Sequence, residues 1–308
     1  MRYLIPSHTL PAYAPNVVAR WLESRGHEVH RIVQPDRYHR VFVPFGSHAL
    51  NIVGVLKRMR GVYDVAFTVD PSIAAALLPL RRLGRIKRLV YWCIDYYPAK
   101  YPGPLQRLYE IVERRARHAD EVWNIFPPHG LFADSKARVV PYLLDPGAIV
   151  EGEERTNRVV WSGPDRDESF GLAKQGMDML DAVEFARTSY DPNGIYLSED
   201  AYHAYLARSK VGLAIYRPSP TSSKQYCDPG RIKAYLAAGL PVVTTRVAPV
   251  WRELEARGAG RSCDYTAAGI ANAVTYCLDH FDRMSGAAYT MAREHVASER
   301  WLGTLERC

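Results

Sequence analysis

The stretch that could do chemistry most directly is SSKQYCDPGRIKAYLAAGLPVVTT, residues 222–245. Asp228 is a natural N-cap, because its carboxylate can accept from the free amides of a first helical turn, and Pro229 is the residue type favoured at the first helical position. Ile232, Tyr235 and Leu236 recur at helical spacing. Gly239 supplies a C-cap, and Pro241 leads into Val242, Val243, Thr244 and Thr245 as a short buried strand. A helix placed this way points its amino end, with unpaired N–H groups and partial positive charge, at the preceding loop, where an anion can sit. Lys224, Arg231 and Lys233 would reinforce that charge. Arg231 and Lys233 read equally well as solvated helix residues.

A second candidate is Asp95, which ends the apolar run LVYWCID. Doubly wound sheets put functional groups at the carboxyl ends of their strands, so Asp95 is the best candidate for a general base. A cap on the turn into Tyr96, Tyr97 and Pro98 explains it as well, and Asp70 before Pro71 has the same two readings. His8, His118 and His129 lack a sequence-local carboxylate partner. No nucleophile elbow, Walker loop or G-x-G-x-x-G turn occurs, and the first loop, SHTLPAYAPN, contains no glycine, which argues against dinucleotide oxidoreduction.

The elements that would position these residues alternate. The opening YLIP reads as a strand, and APNVVARWLES as a helix closed by Gly26. EVHRIV, VYDVAFTVD, RLVYWCID and ADEVWNIF follow as strands, separated by helical segments such as SIAAALLPLRRL. LLDPGAIVEGEERTN reads as a linker. Beyond it come RVVWSG as a strand, a helix around MDMLDAVEFA, a strand near GIYL, a helix through YHAYLARS, the strand VGLAIY, the opening stretch and a helix from VWRELEARG. This rhythm predicts α/β architecture with parallel, doubly wound sheets. A chain of 308 residues accommodates two such domains, set here at 1–150 and 151–308, with the last helix free to cross back.

Apolar content of 47% and charged content of 24% fit a globular protein without a membrane span. The start MRYLIPSHTL lacks a signal-peptide core, so a cytoplasmic location is expected, at most peripheral to a membrane. Five widely spaced cysteines without a C-x-x-C pair predict free thiols. Residues 1–150 hold 21 Lys and Arg against 12 Asp and Glu, while the remainder holds 19 against 21. The basic half would attract an anionic partner through Arg58, Arg60 and the cluster from Arg81 to Arg88.

Several of these segments together resemble one family. SRGHEV closing the first helix, HADEVWNIF, KQGMDML and above all DPGRIKAYLAAGLPVVTT look like the large retaining group of nucleotide-sugar glycosyltransferases with the GT-B fold (family-four-like). The resemblance covers most of the chain and implies two Rossmann-like domains facing a cleft, with the acceptor on the first and the donor on the second. It implies transfer of a sugar from a nucleoside-diphosphate sugar, with a UDP-sugar favoured, to a glycan or lipid-linked hydroxyl, with retention favoured over inversion. A DNA glycosyltransferase acting on a hydroxymethylated base and a sugar-nucleotide epimerase are the alternatives. The expected donor contacts are Gly163, Arg166, Lys174, Lys224, Asp228, Arg231 and Lys233. Arg231 stands where the family often has Lys and would stabilise the leaving diphosphate. Ala234 departs from the family's ribose-binding carboxylate, which leaves Asp228 as the nearest acidic substitute. The expected acceptor contacts are Arg58, Arg60, Arg85 and Tyr96. Asp165-Arg166-Asp167 spells a D-x-D triplet associated with metal in another glycosyltransferase architecture; here it is expected to be a solvated loop, with neither metal nor cofactor required.

Overall fold

The computed structural model describes residues 1–8, 14–34, 44–100, 103–125, 137–151, 154–163, 167–188 and 199–307. The chain forms two compact units, Met1–Leu143 with Ala297–Cys308, and Leu144–Val296.

In the first unit the order is β1 (Arg2–His8), α1 (Ala14–Ser24), β2 (Glu28–Gln34), α2 (Pro44–Arg58), β3 (Tyr63–Thr68), α3 (Pro71–Arg82), β4 (Ile86–Cys93), α4 (Tyr97–Lys100), α5 (Pro104–Ala116), β5 (Glu121–Asn124) and β6 (Arg138–Val139). Its sheet runs β2-β1-β3-β4-β5-β6, parallel throughout. Strands in such a sheet are covered on both faces and read as continuous apolar runs. Leu89, Val90, Tyr91, Trp92 and Cys93 of β4 are all fully buried. Asp70 is the N-cap of α3: its Oδ1 accepts from the Ser72 and Ile73 amides at 2.7 and 3.2 Å, with Pro71 following. Of its two readings from sequence, the cap is the one with a visible partner.

The second unit runs β7 (Arg158–Ser162), α6 (Phe170–Met177), β8 (Glu184–Thr188), α7 (Glu199–Ala207), β9 (Val211–Ala214), α8 (Gly230–Ala237), β10 (Val242–Thr245), α9 (Trp251–Arg257), β11 (Gly260–Cys263), α10 (Ala267–Asp279) and α11 (Phe281–Glu294). Its parallel sheet has the order β11-β10-β9-β7-β8. The chain then rejoins the first unit with α12 (Glu299–Leu302), where Arg138 donates to Thr304 Oγ1 and the Arg300 carbonyl.

Two local readings change. The segment read as a linker packs on the second unit: Leu144 and Ala148 are buried in its core, and the Val150 amide donates to the Ala237 carbonyl at 3.1 Å. The helix expected around MDMLDAVEFA is α6, which lies earlier, and EFART of that segment is β8; GIYL lies outside the described residues. Glycines weaken a helix in isolation. Gly176 is nevertheless required in α6, because an added Cβ would lie 2.9 Å from the Ala267 carbonyl oxygen at the start of α10. The close approach of two helices, invisible in the local sequence, outweighs the propensity.

Glu113 on α5 is buried beside β4, with the Tyr91 hydroxyl donating to its carboxylate oxygens at 3.1 and 2.9 Å and Arg117 Nε 3.6 Å away. Burial pushes its carboxyl up from 4.5 to about 7, against the Tyr91 hydrogen bond and Arg117, which lower it. Between those two values the folded chain keeps a proton that the unfolded chain has lost, so stability falls as pH rises through the window and levels off above it. Glu113→Gln keeps an acceptor for Tyr91 and removes the ionisation. Hydrogen exchange of the β4 and α5 amides through a urea series should show the variant gaining on the parent from pH 5 to 8, by up to roughly 3 kcal/mol, with no gain below about pH 4.5.

Candidate functional site

In the second sheet the first strand, β7, lies between β8 and β9, so the direction of winding reverses between β7 and β9. Ligands of open α/β sheets bind at that reversal, beyond the carboxyl ends of the strands. The residues placed there are Trp161, Ser162 and Gly163 at the end of β7, Tyr216 just past β9, and Arg231 in the first turn of α8.

Tyr235 of α8 locks this corner. Its hydroxyl accepts from the Ser162 amide at 2.7 Å and donates to the Leu213 carbonyl at 3.1 Å, joining β7 to β9. Its ring lies over Gly212, where an added Cβ would come within 2.4 Å of the ring carbons. Thr245, ending β10, accepts from the Tyr216 amide at 2.9 Å and donates to the Tyr216 carbonyl at 2.6 Å. Tyr202 bonds Ser162 Oγ at 2.8 Å. The carboxyl edge is therefore fixed by side-chain hydrogen bonds between neighbouring strands, which holds groups in place before any ligand arrives.

On this frame the Arg231 guanidinium lies between two aromatic rings, 5.3 Å from the Trp161 centroid and 5.5 Å from that of Tyr216. Such stacking suits the weakly hydrated arginine cation. Burial works against its charge, yet the phenols and Asp167 around it hold its pKa above the ordinary value. Asp167 Oδ2 is 3.6 Å from Nη2. Gly163 faces the same guanidinium: an added Cβ would be crowded, 3.1 Å from Trp161 Nε1 and 3.3 Å from Arg231 Nη2, so the glycine lets the indole and the guanidinium approach the backbone. Trp161 Nε1, the Tyr216 hydroxyl, Thr188 Oγ1 and Arg231 Nη1 are buried without a hydrogen-bond partner among the described residues. Such groups are costly unless a ligand or water satisfies them. Burial pushes the Tyr216 hydroxyl well up, so it stays protonated and able to donate.

Of the residues expected to bind the donor, Gly163 and Arg231 meet here, and Lys224 stands close, its Nζ 5.9 Å from the centroid of the Tyr216 ring. Lys174 is exposed and pairs with Asp178 on its own helix at 3.5 Å. The solvated reading of Lys233 and the capping reading of Asp228 require correction. The lysine is 1% exposed, its Nζ 2.7 Å from Asp228 Oδ2 and 3.0 Å from His295 Nδ1. Pairing with Lys233 takes Asp228 away from the capping role, and α8 starts at Gly230 with Pro229 as N-cap and no side-chain cap. Asp167 is not a solvated loop residue: Oδ1 accepts from the Ser169 amide at 3.1 Å ahead of α6, while Oδ2 faces Arg231. Arg166 and Asp165 lie outside the described residues.

In the first unit Asp95 lies two residues beyond β4, half-buried, its carbonyl accepting from the Cys93 thiol at 3.7 Å. Tyr96 follows it and is buried. Arg60 and Arg85 instead lie in the segments leading into β3 and β4, at the opposite, amino edge of the sheet, where Arg85 donates to the Gly61 carbonyl at 3.0 Å. Arg58 donates to the Val33 carbonyl of β2 at 2.9 Å. The four expected acceptor contacts thus divide between the two ends of the sheet. Part of the basic cluster is neutralised locally: Arg81 pairs with Asp120, Lys87 with Asp64 and Arg88 with Glu121. His118 is exposed past α5, His8 ends β1, and His129 lies outside the described residues.

No protein-family model matches the chain, and no curated protein matches it in sequence. Solved structures do match over its whole length. Sucrose-phosphate synthase from Thermosynechococcus elongatus is 11% identical with a TM-score of 0.73, covering 100% of this chain and 98% of that one. The chain has the GT-B fold. The N-terminal domain of Candida albicans trehalose-6-phosphate phosphatase shares this fold at 10% identity and TM-score 0.69, over 99% of this chain and 95% of that one. Anabaena HepE, solved in complex with UDP-glucose, shares it at 10% identity and TM-score 0.64, over 100% of both chains. In a GT-B chain, the corner built by Trp161, Gly163, Tyr216 and Arg231 occupies the switch point of the second unit.

Trp161, Tyr216 and Asp167 were missed as site residues. The signal for the first two was available in the strands WSG and LAIY, once the reversal point between the first and third strands of the second unit is asked for.

Proposed function

We propose that this chain is a glycosyltransferase that uses a nucleoside-diphosphate sugar, with a UDP-sugar favoured. The observation that carries the reading is the set of buried donors at the switch point, Trp161 Nε1–H, the Tyr216 hydroxyl and Arg231 Nη1–H, which have no hydrogen-bond partner among the described residues. A departing diphosphate gains negative charge as the glycosidic bond breaks, and fixed N–H donors in a desolvated corner stabilise that charge more than they stabilise the ground state. Arg231, Trp161, the Tyr216 hydroxyl and Lys224 would supply the compensating charge and hydrogen bonds without reorganising. HepE, of the same fold, was solved with UDP-glucose, which supports this donor class.

For the acceptor we favour a sugar hydroxyl on a glycan or glycolipid, received near Asp95 and Tyr96 at the carboxyl edge of the first sheet. A DNA acceptor drew its support from the basic cluster, and Arg60 and Arg85 lie at the other edge. A donor-face course, with the leaving phosphate taking the acceptor proton, makes retention the favoured outcome. No helix among the described residues is long and apolar enough to cross a membrane.

The test is to incubate the chain with UDP-, GDP- and dTDP-sugars and follow nucleotide release with and without glycan, glycolipid or hydroxymethylated DNA. Acceptor-dependent release from one donor is expected. Isomerised sugar nucleotide formed without acceptor would make it an epimerase, and failure to bind any of the three nucleotides would overturn the reading.

A further inference from the structure

Resting on the diphosphate reading of this corner, we infer that Asp167 is a resident counter-anion for Arg231, which the donor's diphosphate must displace and which hastens release of the nucleoside diphosphate product. The carboxylate is held in position, since Oδ1 accepts from the Ser169 amide at 3.1 Å. Its other oxygen stands 3.6 Å from Arg231 Nη2, an ion pair longer than a directed hydrogen bond. Nη1 of the same guanidinium is buried and has no hydrogen-bond partner among the described residues. A phosphate oxygen taken by Nη1 and the Asp167 carboxylate beside Nη2 would therefore share one guanidinium, and two anions so placed repel each other. Both partners are only about a quarter exposed or less, so water screens that repulsion incompletely. A second acid–base pair holds the same turn, with Glu168 Oε2 3.2 Å from Arg217 Nη1 beside Tyr216. Asp167 thus keeps Arg231 ordered while the corner is empty and limits how tightly it can grip a diphosphate.

The test is calorimetric titration with inorganic pyrophosphate and with UDP, at fixed ionic strength, of the parent chain, Asp167→Asn and Arg231→Ala. Asn keeps an oxygen for the Ser169 amide and removes the charge, so folding is preserved. Asp167→Asn should bind both probes more tightly, by roughly two- to tenfold, the scale of a partly screened ion pair. Arg231→Ala should lose binding of both. A gain in affinity is a change that mere structural damage does not produce. Unchanged or weaker binding by Asp167→Asn, with Arg231→Ala still defective, would overturn the counter-anion role and leave the diphosphate site standing. Equal binding by Arg231→Ala and the parent, or no binding of either probe by any of the three, would overturn both.

Discussion

Replacing Arg231 with alanine should lower donor turnover roughly 100- to 1,000-fold, the effect typical of removing one preorganised donor to a developing anion. The expectation follows from placement. Arg231 is held against the Trp161 and Tyr216 rings, and its Nη1 and Trp161 Nε1 are buried donors with no hydrogen-bond partner among the described residues. Water cannot replace it at equal strength, because the corner is largely enclosed and a mobile solvent dipole would have to reorganise as charge develops. Arg231→Lys should recover only part of the loss: an ammonium is a compact point charge that neither forks nor stacks as guanidinium does. The measurement is the rate of nucleotide release with whichever donor the parent accepts, alongside a thermal melt showing that the variant is folded. A folded Arg231→Ala chain turning over within a few-fold of the parent would remove the corner from the mechanism.

The contrast between Arg231 and its neighbour Lys233 shows where sequence reading ends. Both are cations in the first turns of one helix, and spacing alone left both open to the solvent reading. Their fates are decided by remote partners. Arg231 meets Trp161, 70 positions earlier, whereas Lys233 meets His295 across 62 positions. Helical spacing did mark Ile232, Tyr235 and Leu236 as an inner face, and all three are buried. What it could not carry was the Tyr235 hydroxyl bridge from β7 to β9, which exists because Gly212 leaves room for the ring. The alternation of strands and helices was legible because parallel strands are apolar throughout and need long crossovers. The basic first half was legible as composition only. Which end of a sheet a charge occupies depends on whether it precedes or follows a strand, and that placed Arg60 and Arg85 opposite Asp95.

The same burial makes Lys233 the position where a single substitution should cost the second unit most stability. With its ammonium gone, the Asp228 carboxylate would remain 8% exposed in that interior without this cation, and His295 would lose its 3.0 Å partner. Removing one member of a buried pair typically costs about 3–5 kcal/mol, whereas an exposed helix lysine changed to alanine stays within about 0.5 kcal/mol. Lys233→Ala therefore separates the two readings of this residue cleanly. Because the chain has two units, the readout should be local: hydrogen exchange of α8 and β9 amides through a urea series, not one global midpoint. Lys233→Met combined with Asp228→Leu removes both charges and should restore much of the loss, since apolar replacement of a buried pair is often neutral or better. The single variant should also weaken donor binding, because Asp228 lies just ahead of the turn that presents Arg231, and freeing it loosens that turn. If Lys233→Ala left α8 protection unchanged while donor binding collapsed, the lysine would belong to the donor site after all and the buried pair would be incidental.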